Sequence, residues 1–344
     1  MFSVYKIFSI FLILIAAVAI GTGVSVAQIP GVGDVISFKV SPENPRANEL
    51  VTIEAESFSI SLDRADRMTW SVDGKVVSRK AGVKKIQFEV GELGSRSVVN
   101  LTISGTEVGT ITESITLVPT EVDLLWEADS YTPPFYKGKA LPSSDADITV
   151  VAIPQFVTTS GNKLDSNDLV FTWKKDGKVL GNDSGRGKDS IKIKGPKIFN
   201  GSRIQVDVSS AGNSLQGEGS VFVSSVSPKV IFYENDIILG MRYEKAIQST
   251  TELFNEEITI TAHPYFFSQN KRVSPDIQYE WKVNNSKVDP SPDDESSIVL
   301  RQVGDGEGSA NISLSLQNFD KILQSARSSF SILFGRNNNT PFGF

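Results

Sequence analysis

The sequence predicts an all-β protein of three tandem β-sandwich domains behind an N-terminal export signal. Three observations predict it. A tryptophan on a short strand runs into a tight turn three times, at Trp70, Trp173 and Trp281, spaced 103 and 108 residues apart. An alternating β-branched run ending in alanine precedes each tryptophan, at residues 51–55, 148–152 and 258–262. Elsewhere, short runs rich in Val, Ile, Thr and aromatics alternate with period two and are broken by turn clusters.

The leader comes first. Lys6 is the only charge before Asp34, and residues 7–20 are almost unbroken Ile, Leu, Phe, Val and Ala. A run of this length suits the apolar region of a signal peptide and falls short of the roughly 20 residues of a spanning helix. Val24-Ser25-Val26-Ala27, before Gln28, offers a small-residue cleavage site. Read on through Gly21 to Ala27, the same stretch makes an uncleaved anchor. Residues 1–27 are therefore a signal peptide or an N-terminal anchor, and in the second case they are the only contact with a membrane. The remainder is expected outside the cell or on its surface.

Composition narrows the function. The 344 residues include 34 Lys plus Arg, 40 Asp plus Glu, one His and no Cys. Without cysteine there is no disulfide, no thiolate nucleophile and no Cys-type zinc or iron–sulfur site. A single imidazole cannot build the usual catalytic zinc site. A net charge of −6 and a pI near 5.1 argue against nucleic acid, whose readers present basic faces to phosphate.

The repeats set the domains at 34–118, 119–226 and 227–335, with 336–344 as a flexible tail. Within each, the alternating run is one strand and the tryptophan lies on the next. Asp73-Gly74 and Asp176-Gly177 are hairpin turns of the kind whose two central residues need positive φ. Asn284-Asn285-Ser286 replaces them in the third unit, where a slightly longer turn is expected. An aromatic follows each alternating run within four residues: Phe58, Phe156 and Phe266. Residues 320–328 are the one short helix candidate.

The alternating run and the tryptophan hairpin, taken together, resemble the cysteine-free bacterial immunoglobulin-like and PKD-like domains found in tandem on exported proteins. The resemblance implies an immunoglobulin-like sandwich in which the alternating run is strand B and the tryptophan strand is strand C. Trp70, Trp173 and Trp281 would then form the structural core where a B–F disulfide is absent. Such domains serve as spacers, adhesion modules or accessory binding modules.

Six further features bear on function. Ser160-Gly161-Asn162-Lys163 and Ser268-Gln269-Asn270-Lys271 match the S-x-x-K of serine acylases, but that chemistry needs a helix, and both strings sit in the loop between strands B and C. They are read as turn residues, and no catalytic residue is assigned. His263 before Pro264 reads as a packed strand end, since Ile153 holds the same place in the second unit. The stretch from Trp126 to Lys139 puts Trp126, Tyr131, Phe135 and Tyr136 around Pro133-Pro134. It reads first as a proline-kinked A strand packed on the preceding unit, and otherwise as an exposed aromatic platform for a peptide or a sugar. Glu127 with Asp129 and Glu234 with Asp236 repeat an E-x-D at two unit openings. As a solvated strand edge the pattern needs no cofactor; gathered at a junction, these carboxylates would suit calcium. Six N-x-S/T strings are of the kind a Ser- and Thr-rich chain produces by chance. In the tail, Phe342 and Phe344 offer an apolar docking peptide.

The expectation is a non-enzymatic, exported array of immunoglobulin-like domains in cell-surface structure or adhesion. Its partner would be a protein or a cell-surface glycan. An accessory binding subunit of a pilus or secretion assembly is the alternative, and a carbohydrate-binding module is a weaker one.

Overall fold

The computed structural model describes residues 36–106, 109–197, 201–253, 256–304 and 306–335. The leader and the tail with Phe342 and Phe344 lie outside the described residues.

The first sandwich comprises β1 (Ser37–Ser41), β2 (Leu50–Glu56), β3 (Arg67–Val72), β4 (Lys75–Arg79), β5 (Lys85–Glu89), β6 (Ser97–Thr106) and β7 (Gly109–Leu117). Its sheets run β1-β2-β5 and β4-β3-β6-β7. Along β2 the period-two alternation buries Val51, Ile53 and Ala55 and turns Leu50 and Glu56 outward.

The second comprises β8 (Glu121–Ala128), β9 (Asp147–Gln155), β10 (Val170–Lys175), β11 (Lys178–Val179), β12 (Gly185–Arg186), β13 (Ser190–Lys194), β14 (Gly201–Ser209) and β15 (Gln216–Ser224). Here β13-β9-β8 faces β11-β10-β14-β15, and β12 also pairs β10.

The third comprises nine strands: β16 (Lys229–Asp236), β17 (Gly240–Ile247), β18 (Thr250–Glu252), β19 (Glu257–Tyr265), β20 (Ile277–Val283), β21 (Ser286–Val288), β22 (Ser297–Arg301), β23 (Gly308–Asn318) and β24 (Ser325–Phe334). Its sheets run β17-β16-β19-β22 and β18-β24-β23-β20-β21. All these sandwiches share the two-sheet plan of the immunoglobulin-like fold.

One device recurs in each sandwich and explains why the two sequence markers travel together. Trp70, Trp173 and Trp281 are fully buried. Their indole N–H groups donate to the carbonyls of Val83 (2.7 Å), Lys188 (2.8 Å) and Glu295 (3.1 Å). The next carbonyl along, that of Lys84, Asp189 or Ser296, accepts the amide of Ala55, Ala152 or Ala262. Two successive carbonyls before β5, β13 or β22 thus tie the tryptophan of one sheet to the alanine strand of the other. A buried indole needs such an acceptor, and here it ties the two sheets together without a disulfide.

The tryptophan hairpins also share one turn. Both central residues have positive φ in each: 50° and 79° at Asp73-Gly74, 51° and 78° at Asp176-Gly177, 48° and 67° at Asn284-Asn285. The third turn is therefore no longer than the others, contrary to expectation, and Val283 pairs directly with Ser286. Asparagine accepts the left-handed region well enough to replace glycine. The first turn residue is also anchored: Asp73, Asp176 and Asn284 each accept the amide of Val98, Arg203 or Asn311 at 2.8–2.9 Å.

The helix candidate at 320–328 is not a helix. Asn318 Oδ1 accepts the amides of Asp320 and Lys321 to make a turn, and from Ser325 the chain enters β24, where Phe330 is buried opposite Ile312. Strand alternation outweighs local helical propensity there. Phe58 also departs from its counterparts: Phe156 and Phe266 are buried, whereas Phe58 is 100% exposed.

Contacts divide the chain into two compact units, one built on the first sandwich up to Leu117 and one holding the second and third sandwiches together.

Candidate functional site

Within the larger unit, residues 129–146 connect β8 to β9 and lie on the third sandwich. The Tyr131 amide donates to the Phe267 carbonyl and the Phe266 amide to the Tyr131 carbonyl, each at 2.8 Å. This exchange fixes the Tyr131 side chain over β19, where its hydroxyl shares a 2.7 Å hydrogen bond with Nδ1 of His263. The Tyr233 and Tyr265 hydroxyls bond to each other at 2.7 Å. Tyr233 and Tyr243 present ring faces and edges to the imidazole at centroid distances of 5.3 and 5.4 Å. Tyr136 stands edge-on to Tyr265 and Phe266. Tyr279 donates to the carbonyl of Arg272, whose guanidinium in turn acts on Tyr131, Tyr243 and His263. Every described tyrosine belongs to this seam. A side chain that is apolar along its body and polar at its tip suits a joint that is neither core nor surface.

His263 is 1% exposed. Burial, helped by the positive charge of Arg272, lowers its pKa to about 4, while Asp294 opposes the shift. It is neutral at neutral pH. Burial likewise pushes the Tyr131 hydroxyl well above its ordinary value, so Tyr131 stays protonated.

Amide and ionic contacts complete the joint. The buried Gln324 side chain donates to the Ser144 carbonyl and to Ser268 Oγ, both at 2.7 Å, and accepts the Ser268 amide at 3.0 Å. Asp147 meets Lys194 at 2.8 Å and Lys321 of the third sandwich at 3.7 Å, and the hydrogen bond from Lys194 holds its carboxyl below the usual range.

What this joint displays is Phe135. It is 86% exposed, at φ 64°, with its ring edge-on to Tyr243 at 6.0 Å. A bulky residue in the left-handed region is uncommon and is held by its surroundings. Tyr136 beside it is half-exposed. Trp126 differs: Lys139 Nζ sits 3.3 Å from its ring centroid, so a cation of the same chain covers that face. A polar cleft of about 400 Å³ also opens at the joint, lined by Glu127, Asp129, Tyr131, Lys192, Gln269 and Asn270.

Several expectations change here. The 126–139 stretch is not a proline-kinked strand on the preceding unit. β8 ends at Ala128, and Pro133-Pro134 lie in the connector, where a missing N–H costs no ladder bond. The partner of Tyr131 is the following sandwich. Glu127, Asp129, Glu234 and Asp236 form no calcium cage: among the described residues no three of His, Asp and Glu gather around a metal position. Asp236 instead accepts the amides of Ile238 and Leu239, which lowers its pKa. Ser160 and Ser268 lie in loops, and Ser268 is engaged by Gln324. Sequence reasoning did not place Tyr233, Tyr243, Tyr265, Arg272 or Gln324 at the joint; the concentration of tyrosine after residue 130 was the available signal.

No family model and no curated protein matches the chain. Solved structures similar to it are multidomain arrays. The fibronectin(III)-like modules of Clostridium thermocellum CbhA share 13% identity over 55% of this chain and 94% of theirs, with a TM-score of 0.27. Three N-terminal domains of the bacteriophage RB49 highly immunogenic outer capsid protein share 12% over 88% and 99%, at 0.25. The central fibronectin-III array of RIM-binding protein shares 12% over 88% and 96%, at 0.27. Likenesses at this level carry no argument about partner or activity. Among the described residues, no helix is long and apolar enough to cross a membrane.

Proposed function

We propose that this protein is a non-enzymatic, exported cell-surface array of immunoglobulin-like domains that holds a binding surface at the joint of its second and third sandwiches. One observation carries the reading: Phe135 is displayed almost fully to solvent while the residues around it are fastened by Tyr131, His263 and Gln324. An exposed aromatic on a rigid mount is what recognition of a protein or a glycan uses, because little side-chain entropy remains to be lost on binding. Export rests on the leader, and adhesion on the resemblance drawn above. In the alternative, the same surface docks the chain as an accessory subunit of a surface assembly.

The experiment is crosslinking on intact cells of the tagged chain and of its Phe135→Ala variant, with mass spectrometry of what co-purifies. The reading expects partners that are lost or reduced in the variant at equal surface abundance. Equal recovery from both removes Phe135 from the binding surface. Recovery of pilus or secretion components would select the accessory-subunit form.

A further inference from the structure

We propose that the connector carries an acid-operated release: protonation of His263 frees its first part, residues 129–137, and with it the mount of Phe135, while its second part stays docked. The inference rests on the reading of Phe135 as a binding surface and gives that surface a regulation.

The connector is held by two clamps of different chemistry. Groups that do not titrate fasten its second part: Gln324 donates to the Ser144 carbonyl at 2.7 Å, and the Val226 amide to the Pro142 carbonyl at 2.8 Å. Asp147, which follows, keeps its charge further into acid than an ordinary carboxylate because Lys194 bonds it. The first part is fastened by Tyr131, through the backbone exchange with Phe266 and Phe267 and through the 2.7 Å bond to His263 Nδ1. Phe135 lies just beyond that residue. Its ring rests on Tyr243 at 6.0 Å, and Tyr243 rests on the imidazole at 5.4 Å.

Proton counting makes the first clamp sensitive. The neutral pair has one hydrogen for the space between oxygen and nitrogen, whichever tautomer the ring adopts. The imidazolium brings a hydrogen on Nδ1 besides the one on the hydroxyl, so the hydroxyl must turn away and becomes an unpaired buried donor. Nε2 is buried without a hydrogen-bond partner among the described residues, and in the imidazolium it is a donor too.

The new charge meets little compensation. Facing the ring are Tyr131 from the connector, Tyr233 from β16, Tyr243 from β17, and Arg272 and Asp294 from the loops before β20 and β22. The tyrosines are uncharged in acid, and Arg272 repels an imidazolium. The Asp294 carboxylate is already taken by Arg272, Ser296 and Ser297. Swinging Tyr131 out admits water to the ring, where its charge costs little. Opening thus returns the imidazole from a pKa of about 4 to its ordinary 6.5, and becomes easier as pH falls between those values.

The test is hydrogen–deuterium exchange of the purified full-length chain at pH 7, 5 and 4, with labelling times scaled to the intrinsic amide rates. Peptides covering 129–137 and Phe266 are expected to lose protection by roughly 100-fold between pH 7 and 4, the shift those two pKa values set. Peptides covering 142–146 and the tryptophan strands β10 and β20 should keep theirs. His263→Gln should remove the pH dependence from 129–137, and His263→Ile serves where the glutamine variant does not fold. Equal protection of 129–137 at all three pH values overturns the proposal. So does a loss spread evenly over the chain, or a pH dependence unchanged in the folded variant. Exchange is read without a partner, so its failure leaves the Phe135 surface standing, and equal partner recovery from Phe135→Ala leaves the release standing.

Discussion

The Tyr131 hydroxyl and the His263 imidazole, 132 positions apart in sequence, meet at 2.7 Å and join the second sandwich to the third. The histidine is neutral there because burial and Arg272 disfavour its charged form.

Removing the hydroxyl alone should weaken the joint. Tyr131→Phe is expected to cost about 1–2 kcal/mol, since it leaves a buried imidazole nitrogen unpaired. Urea unfolding followed by tyrosine and tryptophan fluorescence measures it. A variant as stable as the parent would mean that the backbone exchange with Phe266 and Phe267 holds the joint unaided.

The same pair makes the joint sensitive to acid. His263 has a folded pKa near 4 against an ordinary 6.5, so unfolding takes up a proton between those values. Its contribution is complete above pH 6.5, declines as pH falls from 6.5 to 4, and levels off below. The loss amounts to about 3 kcal/mol from this group. Thermal melts of the parent and His263→Gln across pH 7 to 4 should show a shallower dependence in the variant.

Each core tryptophan can be tested separately. Trp173→Ala or Trp281→Ala should cost about 3–5 kcal/mol, from the cavity and from the carbonyl left without its indole donor. Trp→Phe restores most of the volume but not the N–H, so its cost relative to the parent reports chiefly the bond to Lys188 or Glu295, and the difference between the two substitutions reports the cavity. Denaturant titration gives both values.

The third hairpin turn should tolerate the residues of the other two. Replacing Asn284-Asn285 by Asp-Gly is expected to change stability by less than about 1 kcal/mol, because both turns use positive φ at both positions. Asn284→Val should destabilise strongly, since a β-branched side chain resists φ near 48°. Circular dichroism melts separate the outcomes.

The sandwiches were readable in advance because their evidence is local. A tryptophan, a two-residue turn and an alternating strand lie within a few positions of one another, and each carries its own periodicity or turn chemistry. The length of the third turn is not legible in the sequence, because Asn284-Asn285-Ser286 suits a longer turn as well as two successive asparagines at positive φ. The joint was not readable. Tyr131 and His263 belong to different repeats, and nothing in either segment names the other. From sequence His263 is a packed strand end, and its neighbours Tyr243 and Arg272 reach it only through the third sandwich's own pairing. The exposure of Phe58 against the burial of Phe266 was equally hidden, because the sequence shows a matching residue but not whether anything lies on it.

The third sandwich also holds a parallel pair. β18 runs alongside β24, with Thr250, Thr251 and Glu252 opposite Ser331, Ile332 and Leu333, and the amides of Ser331 and Leu253 extend the ladder to Ser249 and Leu333. The pairs of β24 with β23 and of β16 with β19 are antiparallel. When β18 is drawn toward its N-terminal side and β24 toward its C-terminal side, the rungs between two parallel strands are loaded together in shear. An antiparallel pair pulled from adjacent ends opens one rung at a time. Under load along its strands, this short pair would therefore act as a mechanical clasp within the third sandwich.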